Sequence, residues 1–137
     1  MKNLTIKSLA AFVVFYLVGW LVYGMLLVDY MAANVSDGYA GVVRSEEDFK
    51  MGYMALSNLS LGILVAYVGT LRGDRTWISG MKGGILVALL YSITSNLMSY
   101  TLLDLMTVTS TWVDVVVMSA IGGLMGLAAA MVGNAEA

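Results

Sequence analysis

Charged residues divide this chain into four long apolar stretches. Lys7 and Asp29, Lys50 and Arg72, Lys82 and Asp104, and Asp114 and Glu136 bracket charge-free runs at 8–28, 51–71, 83–103 and 115–135, each 21 residues long. At about 1.5 Å rise per residue, such a run just crosses a hydrocarbon layer of roughly 30 Å as a helix. The pattern predicts an all-α, four-transmembrane-helix bundle forming one membrane domain over 1–137, with spans near 6–30, 47–72, 80–105 and 112–134. The first run exceeds the usual length of a secretory h-region and closes on Asp29-Tyr30 rather than a small-residue cleavage site. It is expected to be retained as a span.

Composition narrows the chemistry. The 137 residues are 60% hydrophobic and 12% charged, and a soluble domain carries about twice that charge. A soluble enzyme, a nucleic-acid binder and a disordered tail are excluded. There is no Cys and no His. That removes disulfides, thiol nucleophiles, Cys/His zinc sites, His-ligated haem and Ser-His-Asp chemistry. No Pro is present to kink a span. A net charge of −2 offers no basic patch for nucleic acid.

The bracketing charges predict orientation. The N-terminus and the 72–82 connection hold five bases (Lys2, Lys7, Arg72, Arg75, Lys82), against Arg44 and Lys50 on the opposite side. By the positive-inside rule both termini are expected in the cytoplasm, with the chain in a cell membrane. Asp29, Asp37, Glu46, Glu47, Asp48, Asp104 and Asp114 then face outward, and seven acids against two bases leave that face at −5. Such a face either attracts cations or is what charge-biased insertion leaves behind. Ser45 is expected to cap the second span, with Glu46, Glu47 and Asp48 in its first turn. Ser110 or Thr111 is expected to cap the fourth, with Asp114 in the first turn.

An offset of 75 residues matches Lys7 with Lys82, Tyr16 with Tyr91 and Asp29 with Asp104, which suggests two parallel helical-hairpin repeats. Small residues mark the packing faces: Gly62 and Ala66 in span two, and Gly122, Gly126 and Ala130 in span four. These stripes are expected to meet inside the chain, with surface left for a homodimer or larger assembly.

Polar residues mark candidate binding positions. Ser92, Ser95, Asn96 and Ser99 share one face of span three, and Asn58 lies in span two. Asn96 and Asn58 are expected to point into the bundle, as hydrogen-bonding glue or as the lining of a ligand or ion site. Phe12, Tyr16, Trp20 and Tyr23 form an aromatic wall along span one, suited to a ligand or to packing. Asp29 and Asp104 each end an outgoing span, where the helix dipole disfavours a carboxylate. As a pair they could hold a cation or anchor a basic partner.

Gly19-Trp20-Leu21-Val22-Tyr23 in span one, Gly83-Gly84 opening span three and Ile121-Gly122-Gly123 in span four resemble small four-span bacterial membrane proteins grouped as a domain of unknown function. That resemblance covers nearly the whole chain, implies a bacterial inner membrane, and brings no catalytic residue. Small multidrug exporters rely on a buried Glu in span one, which this chain lacks. The expectation is a non-enzymatic membrane protein, without a cofactor or metal, that binds or transports a small ligand or ion between spans two and three under an acidic outer mouth. The alternative is an accessory subunit of a larger membrane complex. Expected partners are the lipid bilayer and a second copy or larger complex.

Overall fold

A computed structural model describes residues 2–42 and 44–134. Glu136, which closes the fourth charge-free run, lies outside them. The elements are α1 (Lys2–Leu21), α2 (Val28–Ala33), α3 (Tyr39–Val42), α4 (Met51–Leu71), α5 (Trp77–Leu102) and α6 (Val108–Asn134). Four helical stretches are long and apolar enough to cross a membrane: Asn3–Leu26, Met51–Leu71, Trp77–Leu102 and Val108–Gly133. The fold is an all-α four-helix bundle.

Several boundaries differ from those expected. The first span is not a uniform α-helix. Between α1 and α2, Val22–Leu26 winds as a π-helix, and Leu27 N–H reaches back five residues to Val22 C=O at 2.8 Å. A single π turn distorts a helix without Pro, and such turns recur at functional sites. Ser45 caps no span: Glu46–Asp48 forms a separate 3-10 turn, and α4 starts at Met51 after Lys50, which supplies no side-chain cap. The fourth helix begins at Val108, earlier than expected. Thr107 Oγ1 accepts from Ser110 N–H at 3.3 Å, so Thr107 takes the capping role expected of Ser110 or Thr111. Asp114 therefore lies well inside the helix.

The short turn between α4 and α5 is closely specified. Gly73 has φ +70°, the left-handed conformation that favours glycine after a helix. Asp74 N–H bonds Gly69 C=O at 2.9 Å and Gly73 N–H bonds Thr70 C=O at 3.1 Å. Thr76 and Ser79 then form a reciprocal capping box for α5. At the other end, the two longer connections clasp each other. Val35 pairs with Met106, Ser36 N–H bonds Leu105 C=O, and Thr107 N–H bonds Asn34 C=O, both at 3.1 Å.

Helix α6 is the axis of the bundle, with 44% of its apolar window buried against 6% for the first span. It packs most extensively on α5, where small residues face small residues. A Cβ on Gly84 would overlap the Gly122 carbonyl, and one on Gly80 would overlap Gly126 and Ala130. The Gly122/Gly126/Ala130 stripe thus meets Gly80, Gly84 and Ala88 of α5, and Gly62 of α4 does not oppose it. Gly62 packs instead on Ser8 and Phe12 of α1. Ala66, from the same face of α4, reaches only a small gap beside Gly126, Ala129 and Ala130. Only Gly62 departs from the expectation, because α5 carries its own small stripe, which allows the closer backbone approach to α6. Leu61, Val65, Ile121, Met125, Ala129 and Ala11 fill the remaining centre. Exposed Trp20, Tyr53, Leu71 and Val116 give the exterior the apolar character that lipid requires. The two hairpins are unequal, since α5 packs along α6 far more extensively than α1 along α4.

Candidate functional site

Three helices deliver one polar group each to the same point. Tyr23, from the π turn, donates its phenol O–H to Asp114 Oδ1 at 2.5 Å. Asn96 of α5 donates from Nδ2 to Asp114 Oδ2 at 2.7 Å. Both carboxylate oxygens of Asp114 are thus held by neutral donors, and no Lys or Arg pairs with it among the described residues. All three side chains are half-buried. A carboxylate inside a span is costly unless bonded, which makes this cluster the first place to look for function.

The local sequence explains the meeting point. Asn96 lies 20 positions into α5, and Asp114 lies seven positions into α6 on the adjoining strand of the hairpin. Their separation of 18 residues spans one helical hairpin. Tyr23 arrives from α1 after 91 residues of chain separation. It stands on the π turn, where wider winding re-aims side chains relative to the α-helix before it.

Beside this cluster lies a lateral cavity of about 540 Å³. One wall is α1 and its π turn, with Phe15, Tyr16, Trp20 and Tyr23, and with Gly19 and Gly24 leaving the wall thin between the rings. The other wall holds Phe49, Met51, Met54 and Asn58. Tyr23 belongs to both features: its ring lines the cavity and its hydroxyl binds Asp114. Asn58 is half-buried and forms no hydrogen bond with the described residues. Its amide is open to the cavity, so a polar ligand atom there would find a hydrogen-bond partner. Phe12, the fourth ring of the aromatic wall, leans on Tyr16 with centroids 6.1 Å apart.

The remaining candidates scatter. Ser92 is fully buried and bonds Leu89 C=O at 3.2 Å, and Ser95 bonds Tyr91 C=O at 3.0 Å, both within α5. Ser99 is exposed. Asn96 alone of that stripe bonds across helices. It does not share a cavity with Asn58, which faces α1. Asp29 and Asp104 are both exposed, and Asp104 sits against Gly38 in the clasped loops. No cluster of three or more acids suited to a metal ion occurs among the described residues.

Sequence reasoning missed Asp114 as a site residue, because it treated Asp114 as a rim charge of the fourth span. The signal was the Thr107-x-x-Ser110 pattern, which starts the helix early and puts Asp114 at the depth of Tyr23 and Asn96. No family model, curated protein or solved structure matches the chain. The likeness carried by Gly19–Tyr23, Gly83-Gly84 and Ile121–Gly123 therefore rests on those residues alone.

Proposed function

We propose that the protein is a membrane binding protein for a small organic cation with an apolar body, held in the lateral cavity between α1 and α4. The observation that carries this reading is Tyr23, an aromatic wall residue whose hydroxyl is bonded to an intramembrane carboxylate without a basic partner among the described residues. The negative face of an aromatic ring attracts cations by about 0.5–2 kcal/mol, more when the site is dry. A phenol bonded to a carboxylate carries extra electron density, which strengthens that attraction. Tyr16, Trp20 and Phe15 supply the apolar wall, and Asn58 supplies an amide for a polar substituent.

The cluster and cavity lie toward the clasped-loop end. With termini in the cytoplasm, the acidic outer face would stand over the site and concentrate cations near it. The small-residue stripes of α4, α5 and α6 are used within the chain, which favours ligand binding over subunit docking through those faces. Tetraphenylphosphonium is a suitable probe, since it pairs a cationic centre with apolar rings. Equilibrium binding to the protein in phosphatidylcholine nanodiscs is expected to be saturable, and to weaken about tenfold in Asp114→Asn. Unsaturable uptake equal in both proteins would reject the reading.

A further inference from the structure

A second cavity, of about 350 Å³, opens at the opposite end of the bundle, between the start of α1, the α4–α5 turn and the end of α6. Its walls include Asn3, Lys7, Thr70, Asp74, Arg75 and Gly133. Lys7 is half-buried, and its stem lies in space that only a glycine at position 133 leaves open, since a Cβ there would overlap Lys7 Cε. Its ammonium forms no ion pair with the described residues. Asp74, the carboxylate in this wall, is nearly buried at 8% exposure and is paired with Arg72 at 3.3 Å. Among the described residues, Lys7 and Arg72 against Asp74 leave a local charge of +1. The first turn of α1, at Asn3, adds the positive end of a long helix.

We propose that this cavity binds a phosphate group, contributed by the headgroup of an anionic phospholipid. The site lies where the spans end, the depth at which lipid phosphates stand. Basic pockets between transmembrane helices are suited to such headgroups. Lys7 supplies a point charge to the cavity wall, able to pair with a phosphate oxygen. Thr70 contributes shape rather than a proton, because its hydroxyl already donates to Ala66 C=O at 2.8 Å. This site is separate from the aromatic cavity and does not depend on the cation reading.

The test is native mass spectrometry of the full chain released from nanodiscs of phosphatidylcholine with phosphatidylglycerol. One phosphatidylglycerol per chain is expected to remain bound, in preference to phosphatidylcholine. Retention is expected to fall about fivefold in Lys7→Gln, which keeps the stem over Gly133 and removes one charge. Lys7→Arg is expected to restore it, which separates charge from folding. A parallel titration of inorganic phosphate in detergent distinguishes the source. Thermal stabilisation by phosphate without lipid retention would keep the phosphate site and replace the lipid as its ligand. Equal retention of both lipids, or by both wild type and Lys7→Gln, with no stabilisation by phosphate, overturns the proposal.

Discussion

The α5–α6 seam and the α1–α4 face are both antiparallel helix contacts, yet they are built on opposite principles. In the seam, Gly80, Gly84 and Ala88 meet Gly122, Gly126 and Ala130 with backbone against backbone and alanine methyl groups, leaving no room for a further carbon. Across the α1–α4 face, Gly62 allows one close contact with Ser8 and Phe12. Toward the clasped loops the aromatic rings of α1 hold the helices apart around about 540 Å³ of space. Close packing is the main cohesive force available in lipid. The seam therefore supplies rigidity, and the open face leaves the space in which the proposed ligand would sit. Asp114 and Asn96 stand on the rigid hairpin, and Tyr23 joins them from the open side.

This contrast sets an order of effects. The largest is expected for Gly84→Leu, whose side chain would collide with the Gly122 carbonyl. Overpacking against backbone costs about 3 kcal/mol or more, so little monodisperse protein should survive heating that the wild type tolerates. Gly41→Leu, where nothing stands within 4 Å of an added Cβ, is the matched control and should behave as wild type. Asp114→Ala comes next. It strands the Tyr23 hydroxyl and the Asn96 amide, and interhelical bonds in membranes are each worth about 0.6–1.7 kcal/mol. A loss of about 1–3 kcal/mol is expected in reversible unfolding from mixed micelles, with Asp114→Asn losing less. Thr76→Ala removes the cap of α5 and should cost about 1 kcal/mol in the same assay. Asp29→Asn with Asp104→Asn is the smallest, expected within about 0.5 kcal/mol because both carboxylates are exposed.

The four long apolar helices were legible because charges bracket their apolar stretches, as Lys7–Asp29 and Lys82–Asp104 do; the exception is Asp114, which lies inside its helix. The aromatic wall was legible too, since Tyr16, Trp20 and Tyr23 keep to one side of the helix and now line the cavity. Which small-residue stripes would pair was not. Gly-x-x-x-Gly patterns state that a face is close-packed and leave the partner open, and Gly80/Gly84 competed successfully for Gly122/Gly126. The π turn at Val22–Leu26 left no Pro or other breaker as a signal. Asp114 was hidden by a misplaced helix start of only a few residues: at the rim it would be hydrated, and inside it needs Tyr23 and Asn96.

The open face can be examined against a matched surface elsewhere on the molecule. Trp20 lines the lateral cavity beside Tyr23, whereas Trp112 borders a shallow hollow on α6 with Val108, Val113 and Val116. Two single-tryptophan proteins, one keeping Trp20 and the other keeping Trp112, report on the two places separately. With tetraphenylphosphonium added to nanodiscs, Trp20 emission is expected to change saturably, and Asp114→Asn should shift the midpoint to about tenfold higher concentration. Trp112 emission should drift only with bulk partitioning into lipid. A response of the same size and midpoint from both tryptophans, indifferent to Asp114→Asn, would contradict a cation site on the α1–α4 face.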